Sequence, residues 1–336
     1  MDNRLTRQFN LTSPLVLAPM ALASGGALAA AWARGGALGL VGGGYGDLEW
    51  TRREYHGAVA LLQDDAAMRA RLGCGFMSWK LEEDCSAFDW LLDQPDRPAA
   101  VMLSFGDPAR WIKRLSDAGI PAICQIQRAE QVAQAVDAGA MAIVAQGAEA
   151  GGHGMNSALG RSSFTLVPEV ADMLAKRGGD ALLIGAGGVC DGRGLAAMLM
   201  LGADGAMIGS RAWATTESLA AEKAKQVALR ATGDETMRSG IFDILREKNW
   251  PKPYDFRALR NHLHRQWEGR EDVLAAAPDE ARRIYRAAVA AEDFDGAHVT
   301  VGEGVGTIYD ICTSAELIAR ISAEAEASLT RFQRGL

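Results

Sequence analysis

His153 lies in Gln146-Gly147-Ala148-Glu149-Ala150-Gly151-Gly152-His153-Gly154, a polar stretch in which glycines flank the imidazole. A histidine near its ordinary pKa can take a proton from carbon or donate a hydrogen bond to an anion at physiological pH. Most lone loop histidines are surface residues, but this glycine-rich setting makes His153 the candidate catalytic group. Two other clusters, Gly185-Ala186-Gly187-Gly188 and Gly209-Ser210-Arg211, offer backbone N–H groups where no Cβ obstructs a ligand. Such groups can hold phosphate oxygens without a lysine, so Gly187, Gly188, Gly209 and Ser210 are candidate phosphate-binding residues; the plain alternative is ordinary turn glycines. The Gly42–Gly46 run reads as a loop that lets a planar ligand lie close. Other chemistries lack their residues. There is no Gly-x-Ser-x-Gly elbow, no cysteine with a recognisably spaced histidine, and Cys190 stands where the third glycine of a dinucleotide fingerprint belongs.

Short apolar runs alternate with helical stretches, and each run ends in a turn former. The runs are Leu15–Pro19, Ala37–Gly42, Leu72–Met77, Ala99–Phe105, Ala122–Gln127, Ala142–Gln146, Ala181–Ala186 and Ala206–Gly209. Eight parallel strands leave no open edge when the sheet closes, which implies a (β/α)8 TIM barrel. In that fold the residues just after each strand converge on one face, bringing His153 together with both glycine clusters. Asp107-Pro108 supplies a helix start and Gly139 a helix stop. Asp191 and Arg193 read as capping and surface charges at the start of a helix. The repeat stops after Arg211. Residues 213–310 read as an inserted helical lid rich in Ala, Glu, Lys and Arg, and Thr313–Phe332 as an amphipathic helix that returns to the barrel. The expected division is thus a barrel of residues 1–212 and 311–336 with a lid of residues 213–310. His262, His264 and His298 fall in the lid and His56 in an early helix, without metal-ligand spacing, so His153 is expected to be the one histidine in the catalytic neighbourhood. Trp250, Tyr254 and Trp267 read as lid core rather than a substrate cage, although an aromatic near the mouth could shield a planar ligand.

At 336 residues, the chain fits one barrel with an appendage. The net charge of −7 argues against a broad nucleic-acid or anionic-membrane footprint, so an anionic ligand must be held locally. Leu15–Trp32 carries no formal charge, but Pro19, Ser24, Gly25 and Gly26 interrupt it, and it reads as a buried strand followed by a small-residue helix. Five cysteines without a Cys-x-x-Cys pair suggest neither a disulfide framework nor a zinc site, and lead to the expectation of a reduced, cytoplasmic setting.

The motifs Ala18-Pro19-Met20, Ala145-Gln146-Gly147-x-Glu149-Ala150-Gly151-Gly152-His153, Leu166-Val167-Pro168-Glu169, Gly187-Gly188-x-x-Asp191-Gly192-Arg193-Gly194 and Leu201-Gly202-Ala203-Asp204-Gly205 occur in that order. In this order they resemble the signatures of the nitronate monooxygenase family, once called 2-nitropropane dioxygenases. Trp250-Pro251, Arg257-x-Leu259-x-Asn261 and Gly302-Glu303-Gly304-Val305-Gly306 extend the likeness into the insert. The resemblance implies noncovalent flavin mononucleotide (FMN) at the barrel mouth, its phosphate at Gly187, Gly188, Gly209 and Ser210 and its ring near Ala18, Met20, Gln125 and Gly151. His153 matches the family's catalytic histidine. The implied reaction is oxidation of nitronates, and of nitroalkanes where His153 first removes the α-proton, by O2 to carbonyl compounds and nitrite. The partners implied are a small-molecule substrate and O2, with a homodimer left open, and neither nucleic acid nor membrane. Two positions depart from the pattern: Gly75 stands where Asn is common, which removes a polar contact to the flavin, and Ser210 where Thr is common, which keeps the hydroxyl. Two other readings share the fold. One is an NAD(P)H-dependent FMN reductase of quinones or enoyl thioesters; the other is a flavin-free barrel that holds a sugar phosphate.

Overall fold

In the computed structural model, which describes residues 1–63 and 65–334, all eight apolar runs are strands of one parallel sheet. They are β1 (Leu15–Leu17), β2 (Gly39–Gly42), β3 (Leu72–Met77), β4 (Val101–Ser104), β5 (Ala122–Ile126), β6 (Ala142–Gln146), β8 (Leu182–Ala186) and β9 (Gly205–Ile208), while β7 (Gly152–Met155) lies outside this sheet. The sheet runs from β2 through β6, β8 and β9 to β1. It closes on itself where Leu17 N–H donates to Leu38 O (2.9 Å) and Leu38 N–H to Leu15 O (3.0 Å). The fold is a TIM barrel.

Because side chains alternate faces along a strand, each strand feeds two cores. Val16, Leu40, Met102, Ile123, Val144, Ile184 and Met207 point inward and pack together, with Leu5, Phe9 and Leu11 in the same cluster. Leu15, Leu17, Cys74, Val101, Leu103, Ile143 and Ile208 belong to the outer cluster, together with residues of the surrounding helices. The alternation that buries Val16, Ile123 and Val144 inward also turns Ala18, Gln125 and Gln146 inward at the strand ends. The helix Ser314–Arg334 returns to the barrel as expected. Leu317, Ile318, Ile321 and Ala325 join the outer core, and Gly192 admits this helix so closely that a Cβ there would stand 2.4 Å from Ala325 N. Residues 335–336 of the expected barrel segment lie outside the described residues.

The insert is mostly helical but also contributes two strands, β10 (Thr236–Ser239) and β11 (Tyr254–Leu259). These pair antiparallel with each other, and β11 pairs with β7, placing Phe256 opposite His153. The sequence Tyr254-Asp255-Phe256-Arg257-Ala258 alternates buried and half-buried side chains, a two-residue period that the charged helical composition around it obscures. Through this small sheet the insert is tied to the loop that carries the candidate histidine. Among the described residues no helix is long and apolar enough to cross a membrane.

Candidate active site

The strand ends, the β6–β8 connection and the insert enclose a cavity of about 670 Å³. His153, Ala18, Met20, Gln125, Gly151, Gly187, Gly188, Gly209 and Ser210 all line it.

The glycines that follow β8 and β9 form part of the cavity lining. Gly187 (φ +104°) and Gly188 (φ +72°) occupy the left-handed region, where an L side chain is strained. A Cβ on Gly188 would also meet Glu149 Cγ at 3.2 Å. Gly209 leads into the short helix Ser210–Trp213, and the Ser210 hydroxyl accepts from Gly302 N–H (2.8 Å), leaving its own proton free to donate. Asp191 caps the next helix through Gly194 N–H (3.1 Å), the structural role expected of it.

His153, on β7, is also part of the lining. Its Nε2 lies 2.9 Å from Oδ1 and 3.1 Å from Oδ2 of Asp243, and both side chains are less than 10% exposed, at 8% and 9%. The Trp250 ring stacks on the imidazole with centroids 3.4 Å apart and planes 12° from parallel, and Phe256 lies 4.8 Å away. Burial pulls the His153 pKa below its ordinary value; Asp243 opposes this, while the guanidinium groups of Arg246 and Arg238 reinforce it. The imidazole is therefore neutral at pH 7 and able to act as a base.

The loop before His153 is held by amide and guanidinium groups. The Gln146 Oε1 accepts from Gln125 Nε2 and Gln127 Nε2, each at 3.0 Å, and Gln146 Nε2 donates to the His153 carbonyl (3.1 Å). From β10, buried Arg238 donates to four carbonyls: Ala148 (3.2 Å), Ala150 (2.7 Å), Gly152 (3.0 Å) and Asp255 (2.7 Å). Glu149 accepts from the Ser163 N–H (3.0 Å) and hydroxyl, anchoring the loop to the start of the helix Ser163–Arg177.

A family model described as nitronate monooxygenase matches residues 79–324. The chain belongs to the nitronate monooxygenase family. It is 31% identical to a nitronate monooxygenase of Metarhizium robertsii over 95% of this chain and 92% of that protein. With a nitronate monooxygenase of Neurospora crassa the identity is 28%, over 95% and 90%. Among solved structures, FabK from Thermotoga maritima superposes over all of both chains with a TM-score of 0.79 at 25% identity. The nitroalkane oxidase of Streptomyces ansochromogenes matches with a TM-score of 0.79 at 25% identity, over 97% of this chain and 99% of that one. The chain is thus an enzyme, an oxidoreductase on a TIM barrel.

Two expectations from this family member's sequence need correction. His153 is not the one histidine at the site: His298 lines the same cavity, its Nδ1 2.7 Å from the Tyr285 hydroxyl, and burial pushes its pKa down to about 3. Trp250 is a wall of the cavity rather than lid core, because it stacks on His153 and takes the Tyr45 hydroxyl as acceptor (3.0 Å). At Gly75 a Cβ would stand 2.3 Å from Pro19 Cγ, so the Pro19 ring fills the space a side chain would need. Sequence reading missed Asp243 and Arg246 altogether. Their one signal is position, in the part of the insert just before the loop Asn249–Pro253, and that alone does not aim them at His153.

Proposed function

We propose that this enzyme binds FMN at the barrel mouth and oxidises nitronates, and nitroalkanes after deprotonation, with O2 to carbonyl compounds and nitrite. The observation that carries this reading is that a set of glycines free of obstructing side chains and a neutral, buried imidazole line one cavity. Its volume of about 670 Å³ falls in the range of roughly 300–1,000 Å³ usual for cofactor and small-ligand sites. The fit to FMN rests on backbone geometry. Gly187 and Gly188 hold a conformation that other residues resist, and a Cβ on Gly209 would meet only Ala18 Cβ, at 3.8 Å, so N–H groups can approach a phosphate without side chains in between. Gly187, Gly188, Gly209 and Ser210 would hold that phosphate, and Ala18, Met20, Gln125 and Gly151 would lie along the ring. When bound, FMN supplies the electron transfer from substrate toward O2.

The chain's own residues bind, orient and move a proton. Arg246 and Lys248 line the cavity and favour an anionic nitronate there, while Arg286, also in the lining, is paired with Glu247. His153 contacts the substrate's nitro group and, for a neutral nitroalkane, takes the α-proton. Trp250 and Phe256 hold the imidazole and keep water from it. The test is turnover of a nitronate by FMN-loaded protein, with nitrite as the product measured; loaded protein that releases no nitrite refutes the proposal.

The competing reading is an NAD(P)H-dependent FMN reductase on the same barrel, since one fold hosts several chemistries. Rapid anaerobic reduction by NADH or NADPH supports it, and reduction by nitronate alone supports the oxidation reading.

A further inference from the structure

The tautomer of His153 follows from its partner. A carboxylate only accepts hydrogen bonds, so the Nε2 that lies within 3.1 Å of both Asp243 oxygens must carry the proton of the pair. In the neutral ring the lone pair then sits on Nδ1, which has no hydrogen-bond partner among the described residues. Stacking on Trp250 and the contact with Phe256 oppose a ring flip, which would exchange Nε2 with Cε1 and Nδ1 with Cδ2 and break the contact with Asp243. Asp243 is fixed in turn on the helix Ile241–Leu245, with an Arg246 guanidinium nitrogen 4.0 Å from its Oδ1.

We propose that Asp243 is a positioning residue that locks His153 in the Nε2–H tautomer, so that Nδ1 is the ring nitrogen that meets the substrate. This inference rests on the reading of His153 as the substrate-facing group. With a neutral nitroalkane, the α-C–H bond breaks and its electron pair moves into the nitro group to form the nitronate. The proton bonds to Nδ1, and Asp243 stabilises the imidazolium through Nε2–H. With a preformed nitronate, no proton needs to leave carbon; Nδ1 can donate to a nitronate oxygen only when the ring is protonated. The two substrate forms therefore have opposite pH dependence on one residue. Nitroalkane turnover rises with pH through the His153 pKa, and nitronate affinity falls. The charged or titratable groups around the ring are Asp243 and Arg246 from the insert, Arg238 from β10 and, beyond Phe256, His298, which burial keeps neutral.

The test uses two readouts. Long-range proton–nitrogen correlation on ¹⁵N-histidine-labelled protein at pH 8, with the His153 signals assigned by their absence in His153→Ala, should show Nε2 protonated and Nδ1 bare. A proton on Nδ1 overturns the proposal, whatever the enzyme oxidises. In Asp243→Asn, kcat/KM for a nitroalkane should fall about 100-fold while that for its nitronate falls less than about 10-fold. The ascending limb of the nitroalkane pH profile should also move to lower pH, because the carboxylate that raised the His153 pKa is gone. Equal losses on both forms with an unmoved profile would mean a merely structural aspartate and overturn the proposal. If the parent enzyme oxidises neither form, the functional reading fails, and the nitrogen spectra still decide the tautomer.

Discussion

Arg238 is a severe test of how the fold holds the site. Its guanidinium is buried and donates to four backbone carbonyls, three of them, on Ala148, Ala150 and Gly152, in the loop that leads to His153. Arg238→Met keeps the apolar stem and removes every donor. Hydrogen bonds from a charged group are worth roughly 1.5–3 kcal/mol each, and their sum is reduced because the buried cation itself carries a desolvation penalty of several kcal/mol. The expected net loss is about 3 kcal/mol of unfolding free energy. For a chain of 336 residues the entropy of unfolding is about 0.7 kcal/mol/K, so the melting temperature should drop by about 4 °C. Urea unfolding followed by circular dichroism and a thermal melt measure these values. Because the freed loop leads into β7, which carries His153, kcat should also fall by more than KM rises. A variant within about 0.5 kcal/mol of the parent, with unchanged kcat, would refute the reasoning, since a change of that size is ordinary for surface substitutions.

His153→Ala should keep its FMN and lose about 10²–10⁴-fold in nitroalkane turnover, measured as nitrite release; full activity would remove the imidazole from the mechanism. Gly188→Ala should weaken FMN binding by about tenfold in a fluorescence titration, because a left-handed φ disfavours alanine by about 1–2 kcal/mol; parental affinity would speak against these glycines as the phosphate site. Gly75→Asn should lower stability by about 1–3 kcal/mol in denaturant titrations without raising activity, because the new Cβ collides with Pro19. His298 has its folded-state pKa depressed to about 3, below the value near 6.5 of an unfolded chain. Between these values the unfolded chain binds the extra proton, so this contribution to stability is complete above about pH 6.5 and is lost as pH falls toward 3. Stability measured against pH should be less acid-sensitive in His298→Gln, and an identical profile would contradict the assignment.

The barrel was legible because each of its strands is a short apolar run that ends in a turn former, and the inward alternation carries Ala18, Gln125 and Gln146 to the mouth with their strands. The convergence of Gly187, Gly188, Gly209 and Ser210 on one cavity was legible for a similar reason: positions after β8 and β9 must meet at the mouth. β7 was not. Gly152-His153-Gly154-Met155 has little β propensity of its own and becomes a strand only when β11 supplies a partner, with Phe256 opposite His153. Asp243 was illegible because its contact with His153 spans 90 residues and depends on how the insert folds over the mouth. Trp250 and His298 followed the same pattern: periodicity placed them in the insert, but only tertiary packing shows that they face the cavity.

The most direct measurement is an anaerobic absorbance spectrum of the purified protein, taken before and after addition of propyl-2-nitronate and, separately, of NADH and NADPH. Flavin bands that bleach with the nitronate and persist with both nicotinamides are the expected result. Bands that bleach rapidly with a nicotinamide and not with the nitronate, or protein that shows no flavin bands and takes up no added FMN, would contradict the account.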